Sequence, residues 1–188
     1  MANVFDTIRL KKGDQEKSYK WYKDEISKLE NLSGRNLLAT RKGLVSNIVL
    51  GNMYLFLYDP KHKETLPYYD KLPLVLPFNF APGGFLGINL HYLPYLMRFK
   101  ILGALTDYVV NSKNSDKTKV QVSWNILSTA AKFEPVKACV KHYLSDHVQT
   151  RFLRINYQDW VTASQLPIEQ FVKASKTKVW NDSRKKYM

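Results

Sequence analysis

Residues 51–94, GNMYLFLYDPKHKETLPYYDKLPLVLPFNFAPGGFLGINLHYLP, constrain the fold more than any other part of the chain. They are its most apolar, most aromatic and most turn-punctuated stretch. Within 53–58 (MYLFLY), a strand would point Tyr54, Phe56 and Tyr58 one way and Met53, Leu55 and Leu57 the other. Both sets are apolar, so this strand is central or sandwiched. Asp59-Pro60-Lys61-His62-Lys63 reads as a polar turn. A second strand is expected over 72–80. Pro73 and Pro77 cannot donate ladder hydrogen bonds, so it lies at an edge or is broken by bulges. Ala81-Pro82-Gly83-Gly84 is a strong turn signal. A third strand is expected over 85–92, where Gly87 marks a bulge or a close backbone approach. With the short β-branched run at 44–50, these signals predict an α+β fold. Its centre is a small curled antiparallel sheet or partial β-barrel over about 44–93, flanked by helices.

The flanks carry helical periodicity. Tyr19, Tyr22, Ile26 and Leu29 recur at three- and four-residue steps, predicting a helix over 14–32 with Asp14 as N-cap and Ser33-Gly34 as its end. Residues 35–43 read as a loop or a charged connector. Pro94 fits the first turn of a helix reaching about Val110 through Tyr95, Leu96, Phe99, Leu102 and Leu105. A polar loop over 111–118, a short strand over 119–122 and a helix over 123–132 follow. Glu134-Pro135 is read as starting a helix to about Leu144, and Leu166-Pro167 as starting a last one. Residues 148–157 alternate as a strand that presents Arg151 and Arg154 to solvent.

At 188 residues the chain has the length of a single domain. Residues 1–13 show no clear period and read as an N-terminal arm. Residues 173–188 read as a basic tail, with six Lys or Arg against Asp182 alone. No apolar run is long enough to cross a bilayer and no secretory h-region is visible, so no membrane partner is expected. Cys139 is the only cysteine, which excludes an intrachain disulfide and suits a reducing cytoplasm.

Catalytic and metal chemistry find little support. Cys139, His142 and His147 do not have the number or spacing of a zinc site. Asp59, Glu64 and Asp70 sit beside Lys61 and Lys63 and read as local ion pairing. Gly83-Gly84-Phe85-Leu86-Gly87 lacks the Lys-Ser/Thr ending of a phosphate loop. No catalytic residue, metal or cofactor is predicted. The formal charge of +13 instead favours an anionic partner. Basic residues interleave with aromatics over 17–23, 151–157 and 173–187. In such patterns cations neutralise phosphates and rings stack on bases. Packing explains the first two segments as well, whereas Trp180 and Tyr187 of the tail lack an obvious element to pack on.

The strings MYLFLYDPKHKETLPYYDKLPLVLPFNF and GFLGINLHYLP, with the basic-apolar helix that follows, resemble a group of tailed-bacteriophage virion proteins, the DNA end protectors. The resemblance covers about residues 50–105. It implies a non-enzymatic virion protein, made in the host cytoplasm, that binds the double-stranded ends of packaged DNA without sequence specificity. The alternative is a structural neck, tail or baseplate subunit that acts through other virion subunits in a multi-subunit assembly. A nuclease or wall hydrolase, using Asp59 or Asp70, is the least supported reading. For DNA binding, the expected phosphate contacts are Arg35, Arg41, Lys42, Arg151, Arg154, Lys176, Arg184, Lys185 and Lys186.

Overall fold

The computed structural model describes residues 3–39, 42–111 and 134–186. The loop, strand and helix expected over 112–132 lie outside the described residues, as does Arg41. The alternating strand is the centre of the fold. Strand β2 (Met53–Leu55) sits inside a six-stranded antiparallel sheet with β1 (Leu44–Val45), β4 (Leu74–Ala81), β5 (Gly84–Asn89), β6 (Val140–Leu144) and β7 (Phe152–Ile155). The order is β1-β7-β2-β4-β5-β6, and the sheet is open, not closed into a barrel. A separate pair joins β3 (Tyr69–Asp70) to β8 (Phe171–Val172). The sheet is larger than expected, because β6 and β7 come from beyond residue 93.

Period-2 alternation separates two cores as the residues predict. Met53 and Leu55 join the main core with Leu74, Leu76, Ile88 and Leu153. Tyr54, Phe56 and Tyr58 face the other way and form a second cluster with Val75, Phe85, Tyr143 and Phe152. Phe56 lies at its centre, with the rings of Phe152, Tyr143, Phe85 and Tyr58 between 5.0 and 6.3 Å away. Each such aromatic pair contributes about 0.5–1.5 kcal/mol beyond area burial.

Pro77 does not push β4 to an edge. The strand lies between β2 and β5, and the register shifts between Pro77 and Asn79. The bulge accommodates the missing donor. The β4–β5 hairpin turns at Pro82-Gly83, with Gly83 at φ 75°, the residue pattern of a type II turn. A Cβ on Gly87 would strike the Val75 side chain, so close approach is the reason for glycine there.

Helices cover the main core. The first residues are helical: α1 (Val4–Lys12) is capped by the Asn3 side chain, and Phe5 and Ile8 are buried. Arg9 of α1 pairs with the buried Asp159. Helix α2 (Tyr19–Ser27) starts later than expected because Ser18, not Asp14, caps it. Gly34 begins α3 (Gly34–Ala39), where a loop was expected, and packs against Leu72. Helix α4 (Tyr95–Asn111) runs as predicted.

Two helix expectations fail. After the single turn α5 (Glu134–Lys137), the chain becomes β6, paired with β5. Val136, Cys139, Val140 and Tyr143 fit a helical stripe, but the free edge of β5 captures the segment as a strand. Near the C-terminal end, α6 (Trp160–Gln165) stops before Pro167. Leu166 is extended at φ −68°, ψ 131°, as a residue before proline tends to be. The chain then forms β8 instead of a helix. No described helix is long and apolar enough to cross a membrane.

Candidate nucleic-acid interface

The basic C-terminal segment is ordered by a buried polar network. Residues Lys176–Lys185 form α7, capped by Ser175, with Val179 fully buried. Trp180 donates its indole N–H to the His91 carbonyl at 2.9 Å and meets the Tyr95 ring edge-on. The packing element missing from the sequence reading is therefore the 3₁₀ turn Leu90–Tyr92 together with α4.

Beneath it lies Arg98, which has no exposed surface. Its guanidinium donates to the carbonyls of Leu93, Ser164 and His91 at 2.7, 3.0 and 3.1 Å. Glu169 lies 3.9 Å from it, accepts from the Tyr95 hydroxyl at 2.6 Å and pairs with Lys176 at 3.3 Å. Burial pushes the Glu169 carboxyl up, but Arg98 and the Tyr95 hydroxyl outweigh it and hold the group below its ordinary range.

Asp70 is also buried and does not form the local ion pair expected of it. Its carboxylate accepts from Leu72 N–H, Asn89 Nδ2 and Gln170 N–H, and lies 2.7 Å from His91 Nδ1. Burial raises its pKa, yet His91, Asn89 and the Leu72 amide bring the net value below the usual 3.8. A lowered native value contributes stability above the unfolded pKa, and that stability is lost as pH falls through the native value. Asp70→Asn is therefore expected to cost about 1–3 kcal/mol at pH 7 and to flatten the acid limb of a urea-midpoint-versus-pH curve. An unchanged acid limb would contradict the coupling.

The other candidate groups stay apart from this network. Asp59 pairs with Lys63 at 2.9 Å. Cys139 is buried, and burial pushes its thiol up to about 12. It precedes β6, so it shares no helix face with His142. His147 Nδ1 lies 2.8 Å from the Asp59 carbonyl. Among the described residues no three His, Cys, Asp or Glu side chains gather to hold a metal ion.

The described phosphate-contact candidates are all exposed. They fall into groups that sequence distance does not show. Lys42, Arg151 and Arg154 cluster at the β1–β7 end of the sheet. There the Arg154 amide bonds the Gly43 carbonyl and the Arg151 guanidinium bonds the Leu44 carbonyl. Arg184, Lys185 and Lys186 end α7, close to β6. Burial pushes the Lys141 ammonium of β6 down to about 8, and Lys186 is close enough to add to that shift. Arg35 stands alone on α3. Lys176 is committed to Glu169. Arg35, Lys42, Arg151, Arg154, Arg184, Lys185 and Lys186 form no ion pair with an acid among the described residues.

The sequence reading missed Phe80. It is 60% exposed at the tip of the β4–β5 hairpin, directly opposite Phe85 across the strand pair. Its signal was present, as an aromatic residue immediately before the Ala81-Pro82-Gly83-Gly84 turn. Beside it a cleft of about 640 Å³ opens between the 46–48 loop, the hairpin and residues 148–152.

A family model described as phage T4 terminal DNA protecting protein matches residues 6–186. No curated protein and no solved structure gives a significant match.

Proposed function

Because the chain belongs to the phage T4 terminal DNA protecting protein family, we propose that it sits in the phage virion and binds the ends of packaged DNA, shielding them without sequence reading and without catalysis. The observation that carries this reading is that seven of the candidate cations are exposed and form no ion pair with an acid among the described residues, three beside β1 and β7, three at the end of α7 and one on α3. Phosphate neutralisation by such groups is indifferent to sequence. The Asp70–His91 pair, the arrangement closest to a catalytic dyad, is sealed from solvent and serves the core.

One feature favours an additional structural role beside other virion subunits. Leu10 on α1 is 84% exposed and Leu96 on α4 is 44% exposed, apolar side chains that a neighbouring subunit would cover. Density in a particle reconstruction far from DNA, with protein wrapped over these residues, would favour that role alone.

The direct test is a salt titration on a linear duplex of arbitrary sequence. With about six phosphates engaged, log K should fall against log salt with a slope near −5, a loss of about a thousandfold between 50 and 200 mM. Absent binding at low salt, or binding indifferent to salt, would exclude the reading.

A further inference from the structure

Cations at the ends of a sheet bind duplex anywhere along its length, because the interior of a duplex offers phosphates everywhere. Recognition of an end needs something the interior lacks. A DNA end exposes the flat face of its last base, an apolar π surface that is otherwise covered by its stacked neighbour. A protein that prefers ends therefore needs an exposed ring beside a cation.

The second face of the sheet supplies this combination. Rings run across it from Phe152 to Phe56 at 5.0 Å and on to Phe85 at 6.1 Å. Phe80, paired with Phe85 across β4 and β5, continues the row into solvent. An aromatic side chain left more than half exposed beside a continuous aromatic cluster is a stacking platform that no other ring among the described residues covers. The cleft next to Phe80 has Phe85 and Phe152 among its lining side chains. Its volume lies in the range of small-molecule sites. Arg151 also lines it, tethered through one guanidinium nitrogen to the Leu44 carbonyl. Among the described residues no acidic side chain contributes to its lining, so nothing described in the wall repels a phosphate. Arg154 is exposed nearby, on the strand position opposite Tyr54 of the same aromatic cluster.

We propose that this cleft receives the terminal nucleotide of a linear DNA, with its base stacked on Phe80 and its phosphate held by Arg151. The proposal rests on the DNA-binding reading above and adds the element that separates an end from an interior. Base–aromatic stacking tolerates any base, so end preference and sequence indifference are compatible. The β1–β7 cations flank the cleft and grip the phosphates just behind the terminus. Those of α7 belong to a separate element and do not line the cleft.

The test compares two probes of equal length and sequence, an open-ended duplex and a dumbbell closed at both ends by hairpin loops. The protein used is the full chain, either unaltered or carrying Phe80→Ala or Phe80→Trp. Phe80 is largely exposed, so the alanine variant should melt with the unaltered protein, and thermal unfolding checks this. The unaltered chain should bind the open duplex about tenfold or more tightly than the dumbbell. Phe80→Ala should erase that preference while leaving dumbbell binding unchanged, and Phe80→Trp should retain it. A fluorescent base analogue at the terminal position should be quenched by the unaltered chain and not by Phe80→Ala. Equal binding of both probes by the unaltered chain, or a preference that survives Phe80→Ala, overturns the cleft as the end site and leaves salt-dependent duplex binding standing. Failure to bind either probe overturns both readings.

Discussion

Replacing Arg98 with alanine should cost about 3–5 kcal/mol and lower the melting midpoint by about 10 °C. The side chain is fully buried and donates to three backbone carbonyls, which belong to the 3₁₀ turn Leu90–Tyr92, the approach to α4 and α6. It therefore ties together three segments, the farthest of which lies 66 residues from Arg98 itself. Its guanidinium also lies over the rings of Tyr95 and Trp180, at 4.5 and 5.7 Å. Truncation takes a donor from three carbonyls, of which that of His91 keeps the Trp180 indole, and leaves the Glu169 carboxylate, only 4% exposed, without its nearest buried charge. Methionine at this position fills the volume but abandons Glu169 in the same way. The double variant Arg98→Met/Glu169→Gln should recover part of the loss, because the cost of an uncompensated buried charge disappears with the charge. Urea midpoints for the four proteins of this cycle measure the coupling. A single Arg98→Met variant as stable as the unaltered chain would show that the ion pair contributes nothing to the docking of α7.

Neutralising either end cluster should weaken DNA binding by roughly a few hundredfold at 0.1 M salt. The substitutions are Lys42→Gln, Arg151→Gln and Arg154→Gln at the β1–β7 end, and Arg184→Gln, Lys185→Gln and Lys186→Gln on α7. Each triple removes about three released counterions, so the slope of log K against log salt should become shallower by about 3. Near 1 M salt all three proteins should converge, because the lost term is electrostatic. All six side chains are exposed, so folding should be little affected. A second expectation follows. The two clusters belong to different elements and share no hydrogen-bond partner among the described residues, so their effects on log K should add. Only the β1–β7 triple should also reduce the preference for open ends, since Arg151 belongs to the cleft. If one triple abolishes binding and the other changes nothing, only one end of the sheet faces DNA. If neither changes the salt slope, phosphate contacts lie elsewhere.

The parts of this fold legible in the sequence are those governed by neighbours in the chain. Alternation over 53–58 assigned Tyr54, Phe56 and Tyr58 to one face and Met53 and Leu55 to the other, because side chains on a strand must alternate whatever packs on them. Pro77 announced an edge or a bulge, of which the bulge is present, and Pro82-Gly83 a turn, because both act through their own backbone. The basic balance and the aromatic richness were equally plain, and so was the class of partner they favour.

Tertiary structure decided everything that depends on remote partners. Residues 140–144 satisfy a helical spacing and a strand alike, and the free edge of β5, some fifty residues earlier, makes them a strand. Asp70, His91 and Arg98 look like surface or turn residues in isolation. Their burial follows from partners 19 to 100 residues away, which satisfy each charge and make burial tolerable. Trp180 looked unsupported until the fold brought it to the carbonyl of His91, 89 residues before it. Phe80 is the opposite case. The sheet buries every other ring of its aromatic row and leaves this one in solvent beside Arg151. The sequence by itself determined which chemistries the chain holds, cations and rings. Only the tertiary structure decided which of them are consumed in holding the fold together and which remain exposed to solvent, because exposure is a property of what packs from far along the chain.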